Sequence, residues 1–106
     1  MSVWDHETLV RRRAEGGRPY VEFLRVDSMS AGFYALPAGG VDPQSPHAED
    51  EVYVVLQGRA VVTIGDEAHE VGPGSTVYVP AGVPHRFHDI ADDLHVVVVF
   101  APPETG

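Results

Sequence analysis

The sequence contains no cysteine, few basic residues and no long apolar run. Without a thiol, the chain has no disulfide, no thiolate metal ligand and no cysteine nucleophile. No stretch has the length of a membrane span, and the first residues lack the apolar segment of a secretory signal. These absences favour a protein of the reducing cytoplasm that has no membrane partner.

The shortage of basic residues makes the chain strongly acidic. Seven arginines and no lysine stand against 16 aspartates and glutamates, which gives a formal net charge of −9. The isoelectric point is about 4.8. A surface of this sign repels the phosphate backbone of nucleic acids and anionic lipid headgroups. We therefore expect neither nucleic acid nor an anionic membrane as a partner.

Short runs rich in Val, Tyr and Phe alternate with turns rich in Gly and Pro, and this pattern predicts an all-β fold. A chain of 106 residues forms one domain with one core. We expect an arm or short helix within residues 1–19, beginning near Asp5, and a barrel domain over residues 20–106. The expected strands include residues 20–26, 29–36, 60–64, 68–71, 75–79 and 94–101.

Two separate stretches, Gly40–Gly58 and Gly72–Asp89, each place a histidine beside a run rich in Val and Tyr. In the first stretch, His47 and Glu51 are four residues apart. In the second, His85 follows a turn rich in proline and glycine. A buried glutamate is costly unless it meets a positive charge. We predict that these three side chains converge inside the fold and hold one divalent metal ion.

The donor set and its spacing indicate which metals and which neighbours to expect. Two imidazoles and a carboxylate with open positions suit Fe2+, and Mn2+, Zn2+, Ni2+ and Cu2+ remain alternatives. Because strand side chains alternate faces, His47 and Glu51 are expected on the inner face of one strand, continued by Tyr53 and Gln57. Glu49 falls on the same face, as a rival ligand or a hydrogen-bond acceptor.

The second stretch resembles a motif of the cupin family. That motif is Gly, five residues, Pro, one residue, Gly, two residues, His, three residues, Asn. The chain matches it from Gly74 through Pro80 and Gly82 to His85, and Asp89 stands in place of Asn. By strand alternation, we expect Asp89 on the inner face with His85.

The first stretch resembles the other cupin motif, Gly, about five residues, His-x-His, three or four residues, Glu, six residues, Gly. His47, Glu51 and Gly58 match their positions, but Ser45 stands where the family has its first histidine. The resemblance implies a double-sheet jelly-roll barrel with a metal site inside. The fourth ligand position is then open or filled by Gln44. The alternative is a site that has lost its metal and kept a hydrogen-bonded polar cluster.

Three further expectations concern the strands around this site. The strand over 60–64 follows a turn at Gly58, and we expect it to pair antiparallel with the strand of the first stretch. The apolar strand over 94–101 is expected to be buried on both faces, in the barrel core or at a homodimer seam, because an exposed apolar edge aggregates. The residues after 101 are expected to fray.

Small cupins have several functions, and the resemblance does not choose among them. One is a metal-dependent enzyme, an oxygenase such as a dioxygenase, or an isomerase, cyclase or lyase, acting on a small organic molecule. Tyr53, Tyr34 or Gln57 would then orient the substrate, and Glu49 or Asp89 would move a proton. The alternatives are a small-ligand-binding module or accessory subunit, and an interaction protein with a vestigial cavity.

Overall fold

A computed structural model describes residues 2–44 and 46–105 of the chain. Within these residues a single helix precedes eight strands. The elements are α1 (His6–Gly16), β1 (Tyr20–Val26), β2 (Met29–Leu36), β3 (Asp50–Gln57), β4 (Ala60–Ile64), β5 (Glu67–Val71), β6 (Thr76–Val79), β7 (His85–His88) and β8 (Leu94–Ala101). The all-β expectation is confirmed, and β1, β2, β4 and β8 have the predicted bounds.

The strands form two antiparallel sheets that enclose one core. The larger sheet has the order β1-β2-β8-β3-β6, and the smaller sheet has the order β5-β4-β7. Alternate side chains of each strand point inward, as period-two geometry requires. The core is apolar and aromatic, and its members that are exposed by 2% or less include Tyr53, Val62, Phe87, Val96 and Phe100.

The sequence predicted that β4 pairs with β3, the strand of the stretch Gly40–Gly58, and this prediction is wrong. β3 pairs with β8 and β6, whereas β4 pairs with β5 and β7 in the other sheet. A β-bulge between Val55 and Gln57 bends the end of β3. Gly58 then turns the chain with φ of 93°, where a Cβ would lie 2.4 Å from the Asp93 carbonyl oxygen. Only glycine fits at this position. After it, the chain crosses from the larger sheet to the smaller one.

Helix α1 lies against the outer face of β1 and β2 and buries Leu9. Asp5 is at the N-cap position as predicted, but its side chain makes no capping hydrogen bond. Gly17, with φ of 71°, ends the helix in the left-handed conformation. Among the described residues, no helix has the length and apolarity needed to cross a membrane. The domain boundary after residue 19 stays a prediction.

Strand β8 lies in the centre of the larger sheet, between β2 and β3. Its inward side chains, Val96 and Val98 among them, are buried, whereas Val97 and Val99 on the outer face are partly exposed. The strand is therefore buried fully on one face, not on both as predicted.

The residues that follow β8 are held against the barrel, so the expected fraying is wrong. The backbone N–H of Glu104 donates to Ser30 Oγ at 2.9 Å. Arg25 Nη2 donates to the Glu104 carbonyl oxygen at 2.9 Å, and Thr105 Oγ1 donates to Glu49 Oε2 at 2.7 Å. These hydrogen bonds join the segment over residues 102–105 to β1, to β2 and to the residue before β3.

Candidate metal centre

Glu51 supplies a buried carboxylate at the start of β3. It is the second residue of the strand, it points inward, and it is 1% exposed. Its Oε1 is buried and has no hydrogen-bond partner in the described residues. A buried carboxylate oxygen without a partner is costly, so this atom requires a cation or a proton donor beside it.

His85 reaches the same point from the other sheet, as the first residue of β7. Its Nδ1 lies 3.0 Å from the Val83 carbonyl oxygen, which assigns the proton to Nδ1 and turns Nε2 inward. Nε2 lies 3.2 Å from Glu51 Oε1 and 3.1 Å from the Tyr53 hydroxyl. The 3.2 Å contact between His85 Nε2 and Glu51 Oε1 is a hydrogen bond only when Nε2 is also protonated. Either a proton or a metal ion can therefore lie between these two atoms.

The pKa of His85 reflects two opposing effects. Burial lowers it, but the Glu51 carboxylate and the Val83 carbonyl oxygen together outweigh burial and raise the pKa above the ordinary histidine value. In the absence of a metal, the Glu51 carboxylate therefore favours the charged form of His85.

His47 lies in the loop before β3, so the prediction that it shares a strand with Glu51 is wrong. The loop nevertheless brings its ring to 5.7 Å from the His85 ring, measured between centroids. His47 Nδ1 lies 3.1 Å from Glu104 Oε2, and Nε2 lies 3.3 Å from Gln44 Oε1.

The three predicted ligands converge. His47, Glu51 and His85 each offer one ligand atom, and these atoms all lie within 4.8 Å of one another. Two donors on opposite sides of one ion are separated by about 4.2 Å, since bonds to nitrogen and oxygen are about 2.1 Å long. The three ligand atoms need to move inward only slightly to reach these coordination distances. The unpartnered oxygen of Glu51 and the donor set both fit a divalent ion.

Gln44 lies beside this group, with its amide oxygen turned towards the histidines. Tyr53 donates its hydroxyl hydrogen to Gln44 Oε1 at 2.7 Å, while Gln44 Nε2 donates to Asp42 Oδ2 at 2.8 Å. The amide is thus oriented with its oxygen inward. Its role as a fourth ligand stays a prediction, and Ser45, the departure from the motif, lies outside the described residues.

Asp42 is a buried carboxylate that the sequence reasoning missed. It accepts hydrogen bonds from the Tyr34 hydroxyl at 2.7 Å, from the Phe87 backbone N–H at 2.8 Å, and from both nitrogen donors of Gln44. These contacts attach the loop before β3 to β7, which carries His85. In the sequence, Asp42 looks like an ordinary loop residue between Val41 and Pro43, and no spacing marks it.

Glu104 is the second missed residue, since no motif extends beyond β8. Its carboxylate faces His47, and its side chain is 19% exposed. Burial raises the pKa of Glu104 most, the nearby carboxylates of Glu49, Glu22 and Glu51 raise it further, and His47 opposes them.

A cavity of about 160 Å³ adjoins the group. It is lined by Tyr20, Tyr34, Gln44, His47, Tyr53, Val98, Phe100 and Glu104. The Tyr20 hydroxyl is buried and has no hydrogen-bond partner in the described residues. Burial raises the pKa of Tyr20, Tyr34 and Tyr53, so all three hydroxyls stay protonated and act as hydrogen-bond donors.

Three other residues that the sequence placed on the inner face do not join the group of three candidate ligands. Gln57 is exposed at the end of β3, because the bulge breaks the alternation that predicted an inward side chain. Asp89 is exposed rather than inward, since β7 ends at His88 and Asp89 adopts φ of 48°. Glu49 is buried, but it precedes β3 and accepts the Thr105 hydroxyl.

A sequence model described as a cupin domain matches residues 32–101 of the chain. The chain belongs to the cupin family. This confirms the resemblance drawn from the two motifs. A solved cupin with a double-stranded β-helix fold, an RmlC-like family protein from Methanocaldococcus jannaschii, superposes with a TM-score of 0.71 at 25% identity, covering 78% of each chain. The jelly-roll expectation is confirmed with it.

Two relatives extend the comparison of this cupin domain. An uncharacterised protein of Streptomyces coelicolor is 52% identical over 105 residues, which is 99% of this chain and 100% of that protein. The dimethylsulfoniopropionate lyase DddQ of Ruegeria pomeroyi is 37% identical over 60 residues, 56% of this chain. Its crystal structure gives a TM-score of 0.67 at 30% identity over 72% of this chain. The cupin domain spans only 30 to 39% of that lyase.

Proposed function

We propose that this cupin domain binds one divalent metal ion through His47, Glu51 and His85 and catalyses a proton-transfer reaction on a small organic molecule. The proposed reaction is an elimination or an isomerisation. The observation that carries the proposal is the convergence of three ligand atoms within 4.8 Å, next to a cavity of about 160 Å³.

The proposed metal ion supplies Lewis acidity, which stabilises negative charge on a substrate oxygen. The residues of the chain do the remaining work. The Tyr53 hydroxyl lies 3.1 Å from His85 Nε2, beside the proposed metal position, so it is placed to donate its proton to a substrate that replaces Gln44 as its acceptor. The Tyr20 hydroxyl has no hydrogen-bond partner within residues 2–44 and 46–105 and is available to donate to the substrate. Val98 and Phe100 supply the apolar wall that excludes water.

Proton transfer is favoured over an oxygenase reaction for two reasons. Three tyrosines line the cavity, and protonated hydroxyls such as that of Tyr20 can donate hydrogen bonds to the substrate oxygen that gains negative charge when a carbon-bound proton is removed. The relative with a printed activity is a lyase. An oxygenase remains the alternative within the enzyme class, and oxygen consumption by the metal-loaded protein distinguishes the two.

A small-ligand-binding cupin without turnover is the second candidate. It is favoured by the segment over residues 102–105, whose Glu104 forms part of the cavity wall. That segment is hydrogen-bonded to β1 and β2, and an anchored wall of this kind suits a cavity that retains its ligand. Binding of a small molecule without chemical change in any metal form supports this candidate.

The metal site is tested first. The protein is purified without chelator, reconstituted separately with Fe2+, Mn2+, Zn2+, Ni2+ and Cu2+, and analysed for bound metal by mass spectrometry. We expect one ion per chain, lost in His85→Ala and Glu51→Gln and kept in the matched control His69→Ala, whose histidine is exposed on β5. Metal that persists in both site variants, or no binding by the native protein, contradicts the proposal.

The reaction class is tested next. Each metal form is incubated with a panel of small carboxylic acids, ketones and dimethylsulfoniopropionate, and the products are followed by proton NMR in ²H₂O. Deuterium incorporation or elimination supports proton transfer. Oxygen uptake without exchange of carbon-bound hydrogen supports the oxygenase alternative instead.

A further inference from the structure

The segment over residues 102–105 brings an acidic side chain to a predicted metal ligand. Glu104 Oε2 lies 3.1 Å from His47 Nδ1, and the two side chains are 19% and 15% exposed. The contact joins the residues after β8 to the loop before β3, two parts of the chain that are far apart in sequence.

The geometry assigns the two nitrogens of His47 different tasks. A carboxylate accepts hydrogen bonds, so the Nδ1 that faces Glu104 carries the proton. Nε2 then presents its lone pair on the other side of the ring, where Gln44 Oε1, also an acceptor, lies at 3.3 Å. Two lone pairs directed at the same point are compatible when a cation lies between them. Histidines that bind metals almost always donate the other ring N–H in this way, often to a carboxylate.

The backbone around Glu104 is anchored firmly enough to place the carboxylate. The Glu104 N–H donates to the Oγ of Ser30, a fully buried residue, and Arg25 donates to the Glu104 carbonyl oxygen. The Thr105 hydroxyl adds a third contact, to Glu49. Hydrogen bonds on both sides of the residue restrict its backbone, so the carboxylate reaches His47 from a fixed direction.

We propose that Glu104 is a positioning residue of the metal centre, which holds His47 with its proton on Nδ1 and its Nε2 directed at the ion. The segment over 102–105 then belongs to the site, because its docking determines how well His47 is oriented. This inference rests on the proposed metal function, but it adds a residue that neither cupin motif contains.

Two other roles for Glu104 make different predictions. A carboxylate that only stabilises the fold would lower stability when removed and leave the metal dissociation constant unchanged. A carboxylate that blocks the site would, when removed, give tighter metal binding. A positioning residue gives weaker binding, by about 10- to 100-fold, as is typical for the partners of metal-ligating histidines.

The experiment compares Glu104→Ala and Glu104→Gln with the matched control Glu67→Gln, which removes an exposed negative charge from β5. Zn2+ and Co2+ dissociation constants are measured by competition with a chelating dye. We expect about 10-fold weaker binding or more in Glu104→Ala. Glu104→Gln keeps an oxygen acceptor and should lie between Glu104→Ala and the native protein, and Glu67→Gln should match the native protein.

A second readout uses the Zn2+-loaded protein. Nitrogen-15 NMR of the His47 ring should show the proton on Nδ1 and the metal on Nε2 in the native protein, and a mixture of the two arrangements in Glu104→Ala. If that variant fails to fold, Ser30→Ala replaces it, since this change releases the Glu104 N–H, and the same direction of effect is expected in both readouts.

The outcomes separate this inference from the metal function itself. Unchanged or tighter binding in Glu104→Ala, or an unchanged His47 tautomer, overturns the positioning role while the metal site stands. Metal binding that persists in His85→Ala, or that is missing from the native protein, overturns the metal function. Weaker binding together with a tautomer change supports Glu104 as part of the site.

Discussion

The backbone N–H of Gly82 donates a hydrogen bond of 2.7 Å to the carbonyl oxygen of His47. This bond links the turn that precedes β7 to the loop that precedes β3. The turn delivers His85 and the loop delivers His47, so the bond fixes the two imidazoles relative to each other.

Replacing Gly82 should therefore weaken the metal site as well as the fold. Gly82 has φ of 77°, a conformation that costs other residues about 1–2 kcal/mol. A Cβ there would meet no atom within 4 Å, so the cost in Gly82→Ala is conformational rather than steric. We expect a similar loss in the free energy of unfolding by urea, and a higher metal dissociation constant. Gly16→Ala, in open space without a positive φ, is the control and should bind metal normally.

Tyr53→Phe should separate catalysis from metal binding. The change removes the hydroxyl beside His85 and Gln44 but keeps the ring, which packs edge-on against Phe87 at 5.0 Å. We expect turnover to fall about 100-fold or more, with metal content unchanged. Tyr78→Phe removes a hydroxyl from an exposed tyrosine and should retain full turnover. Equal turnover in the native protein and Tyr53→Phe would remove Tyr53 from the reaction.

Acid should destabilise the fold through His95, which lies on β8 and contacts His6 of α1. Burial lowers the pKa of His95 most, and the neighbouring His6, whose Nε2 lies 2.8 Å from His95 Nδ1, lowers it further. Asp93 opposes this effect and Arg13 reinforces it. The folded pKa is below the unfolded value of 6.5, so the unfolded chain takes the proton first. The contribution of His95 to stability should be fully present above pH 6.5 and be lost as the pH drops towards the folded pKa.

Urea unfolding at pH 7.5, 6.5 and 5.5 measures that dependence. His95→Gln should lose less stability on acidification than the native protein does, whereas His69→Gln, at an exposed position, should follow the native curve. Parallel curves for the native protein and His95→Gln would contradict the assignment.

Gly32→Ala should move Tyr20 out of the cavity wall. A Cβ at Gly32 would lie 2.0 Å from the Tyr20 ring, too close for both groups to keep their places. We expect the free energy of unfolding to fall by about 1–3 kcal/mol, as for other overpacked cores. A crystal structure of the variant should show the ring displaced. An unmoved ring with native stability would contradict the expectation.

The homodimer stays a prediction, and the outer face of the larger sheet is where to test it. Val52 pairs with Val99 and Val54 pairs with Val97 across β3 and β8, and all four are partly exposed. If this apolar face is the seam, Val54→Lys should give a monomer in sedimentation velocity, while the native protein sediments as a dimer. A native monomer would contradict the prediction.

The convergence of the three candidate ligands and the bounds of β1, β2, β4 and β8 were predictable because the signal is local. The spacing of His47, Glu51 and His85 is part of two compact motifs, and β-branched runs mark strands directly. Gln57 was misplaced because a bulge inserts a residue into the alternation, and nothing in the residue types reveals it. Glu104 was missed because its partner, His47, is 57 positions away, and no pattern within either segment encodes that contact.

The central place of β8 in the larger sheet has a consequence for how the protein matures. Strands β2 and β3 each find a partner in β8, which is made last of all the strands. While the ribosome is still synthesising residues 94–101, both strands present open edges and Glu51 has no enclosed pocket to occupy. We therefore expect the proposed ion to bind tightly only once β8 has joined the sheet and enclosed Glu51.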